Sequence, residues 1–220
     1  MNTNRNIKQK KCKYCESLFY PFKTTQVVCN YHCAQLYAEE QRKKEEQKEW
    51  KERKKKLSID AHSKEHKNTL QNEINKLARM IDAHCGYNVC VDCDRVLDKQ
   101  IHGAHYHNVK GNENIRYNLL NIHSSRSECN KYDSEHKARY KVKISERYGE
   151  DFFNYLENEL RLEYKEMHFS NKEIYNAIPI VRKLQRDLKT IANKDSLSIR
   201  KMFNNIIGLY KKKLKNENSK

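Results

Sequence analysis

Four short motifs between residues 90 and 130 decide how this chain is expected to fold. In order, they read Cys90-Val-Asp-Cys93, His102-Gly-Ala-His105-Tyr106, Arg116-Tyr-Asn118-Leu-Leu-Asn121-Ile-His123 and Cys129-Asn130. Cysteine pairs of this kind are typical of tetrahedral zinc sites. If the segment 101–109 is extended, side-chain alternation puts His105 and His107 on one face and His102 on the other. The stretch predicts a small metal-stabilised module that carries imidazole and amide side chains.

The composition favours small modules and a polyanionic partner. Of the 220 residues, 37% are hydrophobic and 34% are charged, so we expect modules joined by solvated helices rather than one large core. The formal net charge of +16 supports binding to a polyanion, because each Lys or Arg placed on a phosphate releases counterions. No apolar run approaches the roughly 18 residues of a membrane span. The N-terminus also lacks the apolar core of a signal peptide. We therefore expect a cytoplasmic protein whose eight cysteines bind metal rather than form disulfides.

An N-terminal zinc-binding module is predicted over residues 1–33. Its spacing suits four thiolate ligands, although His32 could replace one cysteine and an unligated cluster is the alternative. So short a segment can bury little without a metal, and zinc would supply its folding energy. Phe19, Phe22 and Val27 are expected to pack around the site. The four predicted ligands are Cys12, Cys15, Cys29 and Cys33.

A charged helix and a linker are predicted over residues 34–67. The stretch 34–56 is nearly all Glu, Gln, Lys and Arg without Gly or Pro, which predicts a long exposed helix. Its basic end, residues 51–56, either lies along a phosphate backbone or is simply solvated. Residues 57–67 are interpreted as a linker.

A one-faced amphipathic helix is predicted over residues 68–83, where apolar residues recur at steps of four, three and four. We expect this stripe to pack on the metal module that follows it. The stripe consists of Leu70, Ile74, Leu77 and Ile81.

The motifs of the opening stretch, taken together, resemble the NinG (Rap) recombination proteins of lambdoid phages. The resemblance covers roughly residues 10–190 and includes the N-terminal cysteine module with its charged helix. It implies a zinc-containing, HNH-like (ββα-metal) module over residues 68–149. It also implies a structure-specific endonuclease that acts on branched DNA such as Holliday junctions and D-loops. The expected fold class is thus α+β and mostly helical, with structural Zn²⁺ and a catalytic Mg²⁺ or Mn²⁺.

The resemblance assigns roles to three side chains. His105 matches the general-base histidine, Asn121 the loop-bracing asparagine, and Asn130 the metal-binding position after the last cysteine. The chemistry suits these residue types, since an imidazole can activate water near neutral pH and a cation held largely by phosphate oxygens needs only one or two protein ligands. Four basic residues near the site are predicted to contact DNA, with loop bracing as the alternative role for the first: Arg116, Lys110, Arg126 and Lys131.

Two positions depart from the family pattern. Arg126 stands where the family has a cysteine, so the central zinc site keeps Cys90, Cys93 and Cys129 and lacks one ligand. Cys85 is the predicted fourth ligand, with His84, His123 or loss of the site as alternatives. Ala104 stands where many HNH enzymes have a metal ligand. His102 could donate instead, but strand alternation puts it on the wrong face unless a bulge intervenes.

A C-terminal helical region is predicted over residues 150–220. Ser170 and Glu173 form a capping box, Pro179 should kink or restart the helix that follows, and a last helix should run from Ser196 to about Lys215. The apolar stripes of these helices fit a small bundle or a homodimer contact, and paired nicks in a junction would need two active sites.

Three functions compete. The first is a metal-dependent endonuclease for branched DNA. The second is a zinc-containing DNA-binding or regulatory protein whose nuclease site has decayed, which Arg126 and Ala104 favour. The third, a zinc-mediated protein adaptor, accounts least well for the positive charge.

Overall fold

The computed structural model describes residues 8–98, 100–132, 135–192 and 195–211, with the backbone alone described at residues 131 and 132. The described chain is mostly helical and contains two small antiparallel sheets. It divides into two compact units, Met1–Ser58 and Ile59–Lys220. Within the described ranges, no helix is both long enough and apolar enough to cross a membrane.

The first unit consists of a short hairpin and the start of a long helix. Strands β1 (Lys10–Lys11) and β2 (Leu18–Phe19) pair antiparallel. Helix α1 (Tyr31–Ala61) begins where the Asn30 side chain accepts a hydrogen bond from the Cys33 backbone N–H at 2.8 Å. Ion pairs at i and i+4, such as that between Glu39 and Lys43 at 2.7 Å, lie along its surface. The predicted long charged helix is confirmed.

The predicted linker over residues 57–67 is wrong, because this stretch is helical. Helix α1 runs to Ala61 and helix α2 (Ser63–His84) begins two residues later, with the break at His62. The eleven residues include no Gly or Pro that would stop a helix. Polarity alone therefore led to an incorrect interpretation of this stretch.

Helix α2 is the centre of the first core of the second unit. It packs mainly on α7 (Asn171–Asp187), and also on α8 (Ser196–Ile207) and the strands described below. The predicted apolar stripe is confirmed, because its four members are fully buried: Leu70, Ile74, Leu77 and Ile81.

A β-hairpin followed by helices forms the middle of the second unit. Strands β3 (Ile101–His105) and β4 (Ile122–Arg126) pair antiparallel, with His105 opposite Ile122. Helix α3 (Ser127–Tyr132) follows directly, and α4 (His136–Tyr148) comes next. The order strand, strand, helix agrees with the order that the resemblance implies. A second core lies here, and its buried side chains include Tyr106, Leu120, Tyr140 and Ile144.

The C-terminal region starts with a helical stretch that contains a π-helical turn. Helix α5 (Glu150–Asn154), a π-helical turn (Tyr155–Glu159) and α6 (Leu160–Glu163) follow one another. The predicted capping box of Ser170 and Glu173 is confirmed at the start of α7.

Helix α7 runs through Pro179 as one helix, so of the two predicted effects of this proline, a kink or a restart, the restart is wrong. Helix α8 ends at Ile207, where Gly208 adopts φ of 80° and terminates it, so it is shorter than predicted. The predicted end near residue 215 lies outside the described residues.

Most apolar side chains of α7 and α8 are buried within the chain. Ile199 and Phe203 of α8 are 0% and 1% exposed, and they belong to the same core as α2 and α7. Ile206 of α8 remains 48% exposed, and a homodimer contact stays a prediction.

An ion pair between Arg200 and Asp82 lies inside the first core. Both side chains are fully buried, and their N and O atoms are 2.5 Å apart. The guanidinium also donates to the carbonyl oxygens of Leu119 and Ile122, the latter at 2.6 Å. The pair therefore joins α8 to α2 and to the start of β4.

Replacing Arg200 by Ala should lower the free energy of unfolding by about 3–5 kcal/mol, because it leaves the Asp82 carboxylate buried without its partner. The matched control is Arg182→Ala, which removes a half-exposed guanidinium from its ion pair with Glu73 and should cost about 1 kcal/mol or less. Urea unfolding measures both variants. Equal losses in the two variants would contradict this account of the buried pair.

Candidate metal centres and the hairpin site

The four N-terminal cysteines form one cluster. Their Sγ atoms all lie within 4.8 Å of one another. Cys12 and Cys15 lie in the turn between β1 and β2, and Cys33 lies in the first turn of α1. The sulfur of Cys29 is 3.6 Å from that of Cys15 and 3.5 Å from that of Cys33. Four sulfur atoms at such separations fit a tetrahedral zinc ion.

The electrostatics of this cluster also favour a divalent cation. The hydrogen bond with Cys29, burial and the nearby thiolates raise the pKa of Cys33 to about 12. Burial opposes ionisation of Cys12, but backbone N–H groups, including that of Cys29 at 3.3 Å, lower its pKa to about 6. The thiols are too crowded to ionise together without a cation between them. Phe22 was expected to pack here, but it is 94% exposed.

The second cluster contains three cysteines. The Sγ atoms of Cys90, Cys93 and Cys129 lie within 4.8 Å of one another, and those of Cys93 and Cys129 are 3.5 Å apart. Cys129 lies on α3, so the cluster joins the loop after α2 to the helix after the hairpin. The Sγ of Cys90 accepts hydrogen bonds from the backbone N–H groups of Asp92 and Arg126 at 3.5 and 3.3 Å. Three thiols in this arrangement could hold zinc.

Cys85 is not part of the second cluster, and its predicted role as fourth ligand needs correction. Its Sγ does not share the mutual 4.8 Å separations of the three clustered sulfurs. Its backbone N–H remains bonded to the Ile81 carbonyl at the end of α2, and its side chain packs against the first core. Burial raises the pKa of the Cys85 thiol. The two histidines considered as rivals, His84 and His123, do not belong to the cluster either.

Arg126, which occupies the position of the missing cysteine, is committed to local contacts. Its guanidinium donates to the Val96 carbonyl at 3.1 Å and lies 3.4 Å from Asp98 and 3.2 Å from Glu128. The predicted role of Arg126 in DNA contact is therefore not supported, because two carboxylates already balance its charge. A second guanidinium, that of Arg95, hydrogen-bonds the Cys93 sulfur, and this bond raises the pKa of Arg95.

His105, at the end of β3, is held by one ring nitrogen. Its Nε2 lies 3.0 Å from the Arg116 carbonyl oxygen and 3.2 Å from Nε2 of Gln71. A carbonyl can only accept, so we assign the proton to Nε2, which leaves Nδ1 as the acceptor. Burial lowers the pKa of His105 to about 4. The imidazole is thus neutral near pH 7.

Asn121 closes the loop between the two strands. Its Oδ1 accepts from the His107 backbone N–H at 2.8 Å, and its Nδ2 donates to the His107 carbonyl at 3.1 Å. The side chain is fully buried. This geometry is that of a brace across residues 107–121, which suits the predicted positioning role and keeps Asn121 away from any reacting atom.

Asn130 contacts His102 rather than His105. The amide of Asn130 is 3.4 Å from Nδ1 of His102. Strand alternation puts His102 and His105 on opposite faces of β3, about 10 Å apart along the strand. The face of His105 packs on α2, because a Cβ added to Gly103 would lie 2.9 Å from that of Asn75. The expectation that His105 and Asn130 converge on one cation-sized gap is therefore corrected.

The remaining predicted DNA contacts differ in their surroundings. The Nε of Arg116 donates to Gln71 Oε1 at 2.8 Å, while Lys110 is exposed on the loop. The side chain of Lys131 lies outside the described residues. Gln71, which contacts both His105 and Arg116, was missed from sequence. The only signal of it in the sequence was its place directly after Leu70, beside the apolar stripe of α2.

The fold and the site define a mostly helical protein in which two cysteine clusters could hold zinc, one of them beside a β-hairpin. The family model described as "Bacteriophage Lambda NinG protein" matches residues 4–193. The chain therefore belongs to the NinG family, a family of phage recombination-related proteins. No curated protein and no solved structure matches the chain.

Elemental analysis should find two zinc ions per chain, because both cysteine clusters offer enough thiolates to retain one. Cys15→Ser and Cys93→Ser should each lower the content to one. Cys85→Ser is the matched control and should leave two ions bound. One zinc ion in the wild-type chain would show that the three-cysteine cluster does not retain metal.

Stability should fall as the pH is lowered from about 6.5 towards 4. Over this range the imidazole of His105 is protonated in the unfolded chain but stays neutral in the folded one. The free energy of unfolding therefore falls, by about 3 kcal/mol from this group. Burial also lowers the pKa of His107 and that of His123.

Urea unfolding across this pH range should show that the free energy of unfolding falls less on acidification in His105→Gln than in the wild type. The exposed His84 provides the control, since His84→Gln should retain the wild-type slope. Identical slopes in all three proteins would contradict the buried state of His105.

Proposed function

We propose that this chain is a divalent-metal-dependent endonuclease that cuts branched DNA recombination intermediates such as Holliday junctions and D-loops. The observation that carries the proposal is the state of His105, a neutral imidazole with Nε2 tied to the Arg116 carbonyl and Nδ1 left to accept a proton. Membership of a recombination-related phage family and the net charge of +16 support DNA as the substrate.

In this proposal His105 is the general base. Its Nδ1 takes a proton from the attacking water, and the hydrogen bond from Nε2 to the Arg116 carbonyl holds the ring in place and stabilises the charge that it gains. Asn121 fixes the loop that supplies this carbonyl. The low pKa means that the base is unprotonated over the whole physiological range.

His102 and Asn130 are the proposed protein ligands of the catalytic cation. Nδ2 of Asn130 is 3.4 Å from Nδ1 of His102, so a half-turn of the exposed amide would bring Oδ1, its ligating atom, next to that ring nitrogen. With few protein ligands, most of the coordination would come from water and phosphate oxygens, as is usual for Mg²⁺ and Mn²⁺. The bound cation would offset negative charge on the scissile phosphate. The amide follows Cys129 directly, so the cysteine cluster fixes where it points.

The proposal requires His105 and the cation to act on the scissile phosphate from opposite sides, because Asn130 lies beside His102 and not beside His105. In an in-line displacement the attacking and leaving oxygens lie on opposite sides of phosphorus. A base and a cation therefore serve from opposite sides of the phosphate rather than from one gap.

A second function remains in competition, namely a zinc-containing DNA-binding or regulatory protein with a decayed nuclease site. Two observations favour it. Arg126 occupies a position where the family has a cysteine, and the structure brings Asn130 to His102 on the face of β3 opposite to His105. Under this alternative the chain binds junctions without cutting them.

The test is nicking of a synthetic four-way junction with Mg²⁺ or Mn²⁺. The wild type should nick it, and His105→Ala should reduce the rate by about 10²- to 10⁴-fold, the usual contribution of a general base. His102→Ala and Asn130→Ala should also reduce the rate, and excess Mn²⁺ should partly restore it. His84→Ala is the matched control and should retain full activity.

Junction binding in EDTA separates the two functions. All variants should bind the junction like the wild type, since none of the changed groups is needed for backbone contact. If the wild type binds but does not nick, the decayed-site alternative holds. If a linear duplex is cut as fast as the junction, the preference for branched DNA is lost.

A further inference from the structure

A groove of about 900 Å³ lies beside the hairpin loop in the second unit. One wall is the loop that contains Arg116, and the other is formed by α6 and the segment that leads to α7. We propose that this groove binds an unpaired strand of nucleic acid next to His105. The proposal rests on the proposed function, because it names the part of a branched substrate that the chain holds.

The groove carries an excess of positive charge. Four cationic side chains line it, against the carboxylates of Glu113 and Glu157. Glu157 is already balanced, because its oxygens contact Lys141 at 2.5 Å and the Tyr106 hydroxyl. Within the described ranges, no ion pair engages any of the four cations, which leaves them available for phosphates. They are Lys67, Arg116, Arg161 and Lys165.

Apolar surface alternates with these charges. Leu162 follows Arg161 directly and is 71% exposed, and Met167 and Phe169 line the same groove. A duplex presents sugar and phosphate to such a wall and gains nothing from covering it. An unpaired strand presents base faces, which bury apolar and aromatic surface while its phosphates contact Lys and Arg. The mixture therefore favours a single strand.

The groove is linked to the hairpin site through Arg116. Its guanidinium lines the groove and lies over the Tyr117 ring at 5.5 Å, while its backbone carbonyl holds His105. Gln71 accepts a hydrogen bond from the Arg116 guanidinium and contacts the His105 ring. A strand seated in the groove is thus directed towards the face of β3 that carries His105.

The experiment measures binding of a fluorescent oligodeoxythymidylate of about 12 nucleotides, within the range of single-strand site sizes. It is done in EDTA, so that no cutting occurs, and repeated with a duplex of equal length. The groove variant is Arg161→Gln with Lys165→Gln. The matched control removes two exposed lysines of α7 and α8, Lys183→Gln with Lys201→Gln.

The groove variant should bind the single strand roughly tenfold more weakly at low salt, and the slope of log K against log[salt] should shrink by about 1.4. Leu162→Ala should weaken single-strand binding without changing that slope. Duplex binding should change little in either variant, and the charge control should behave like the wild type.

Three results would contradict the groove proposal. The groove variant and the control could lose equal affinity, the groove variant could lose equal affinity for single strand and duplex, or the wild type could fail to bind the single strand. Failure of the endonuclease proposal is recognised separately. If the wild type never nicks junctions but its single-strand binding depends on Arg161 and Lys165, the groove proposal stands and the endonuclease proposal fails. If the wild type nicks junctions but the groove variant binds and nicks like the control, the endonuclease proposal stands and the groove proposal fails.

Discussion

The carboxylate of Asp82 is the group on which the second unit depends. It receives the buried Arg200 guanidinium from α8, the Ser124 backbone N–H of β4 at 2.7 Å and the Tyr148 hydroxyl of α4 at 3.4 Å. Helices from both cores and one strand of the hairpin therefore meet at one charge. Burying such a charge is unfavourable unless every partner is present, so the contacts select one arrangement of these elements.

Much of the framework follows from local sequence rules, and the buried network does not. The stripe of α2 and the capping box at Ser170 each depend on residues a few positions apart, and the cysteine spacings follow a known ligand pattern, so all were predictable. Arg200 sits between Ile199 and Lys201 with nothing nearby to mark it as buried. Its partner lies 118 residues earlier, and only the tertiary structure brings the two together.

The sequence identified the polar side chains around the hairpin but did not predict which of them meet. The motifs around His105 and Asn130 identify the imidazole and the amide, but which of them meet depends on alternation along β3 and on the helix after the hairpin. The contact of Asn130 with His102 and that of Gln71 with His105 both join elements far apart in sequence. Likewise, Cys85 was predicted as a ligand because the central site lacked a fourth one, whereas the helix that ends there keeps it against the core.

The π-helical turn at Tyr155–Glu159 sets which side chains of the following turn face the groove. Such a turn contains one residue more than an α-helical path, and each helical residue rotates the chain by about 100°. Deleting one residue there would straighten the helix and swing Arg161 and Leu162 a quarter-turn or more away from the loop opposite. The place of both side chains on the groove wall therefore depends on the number of residues in this turn.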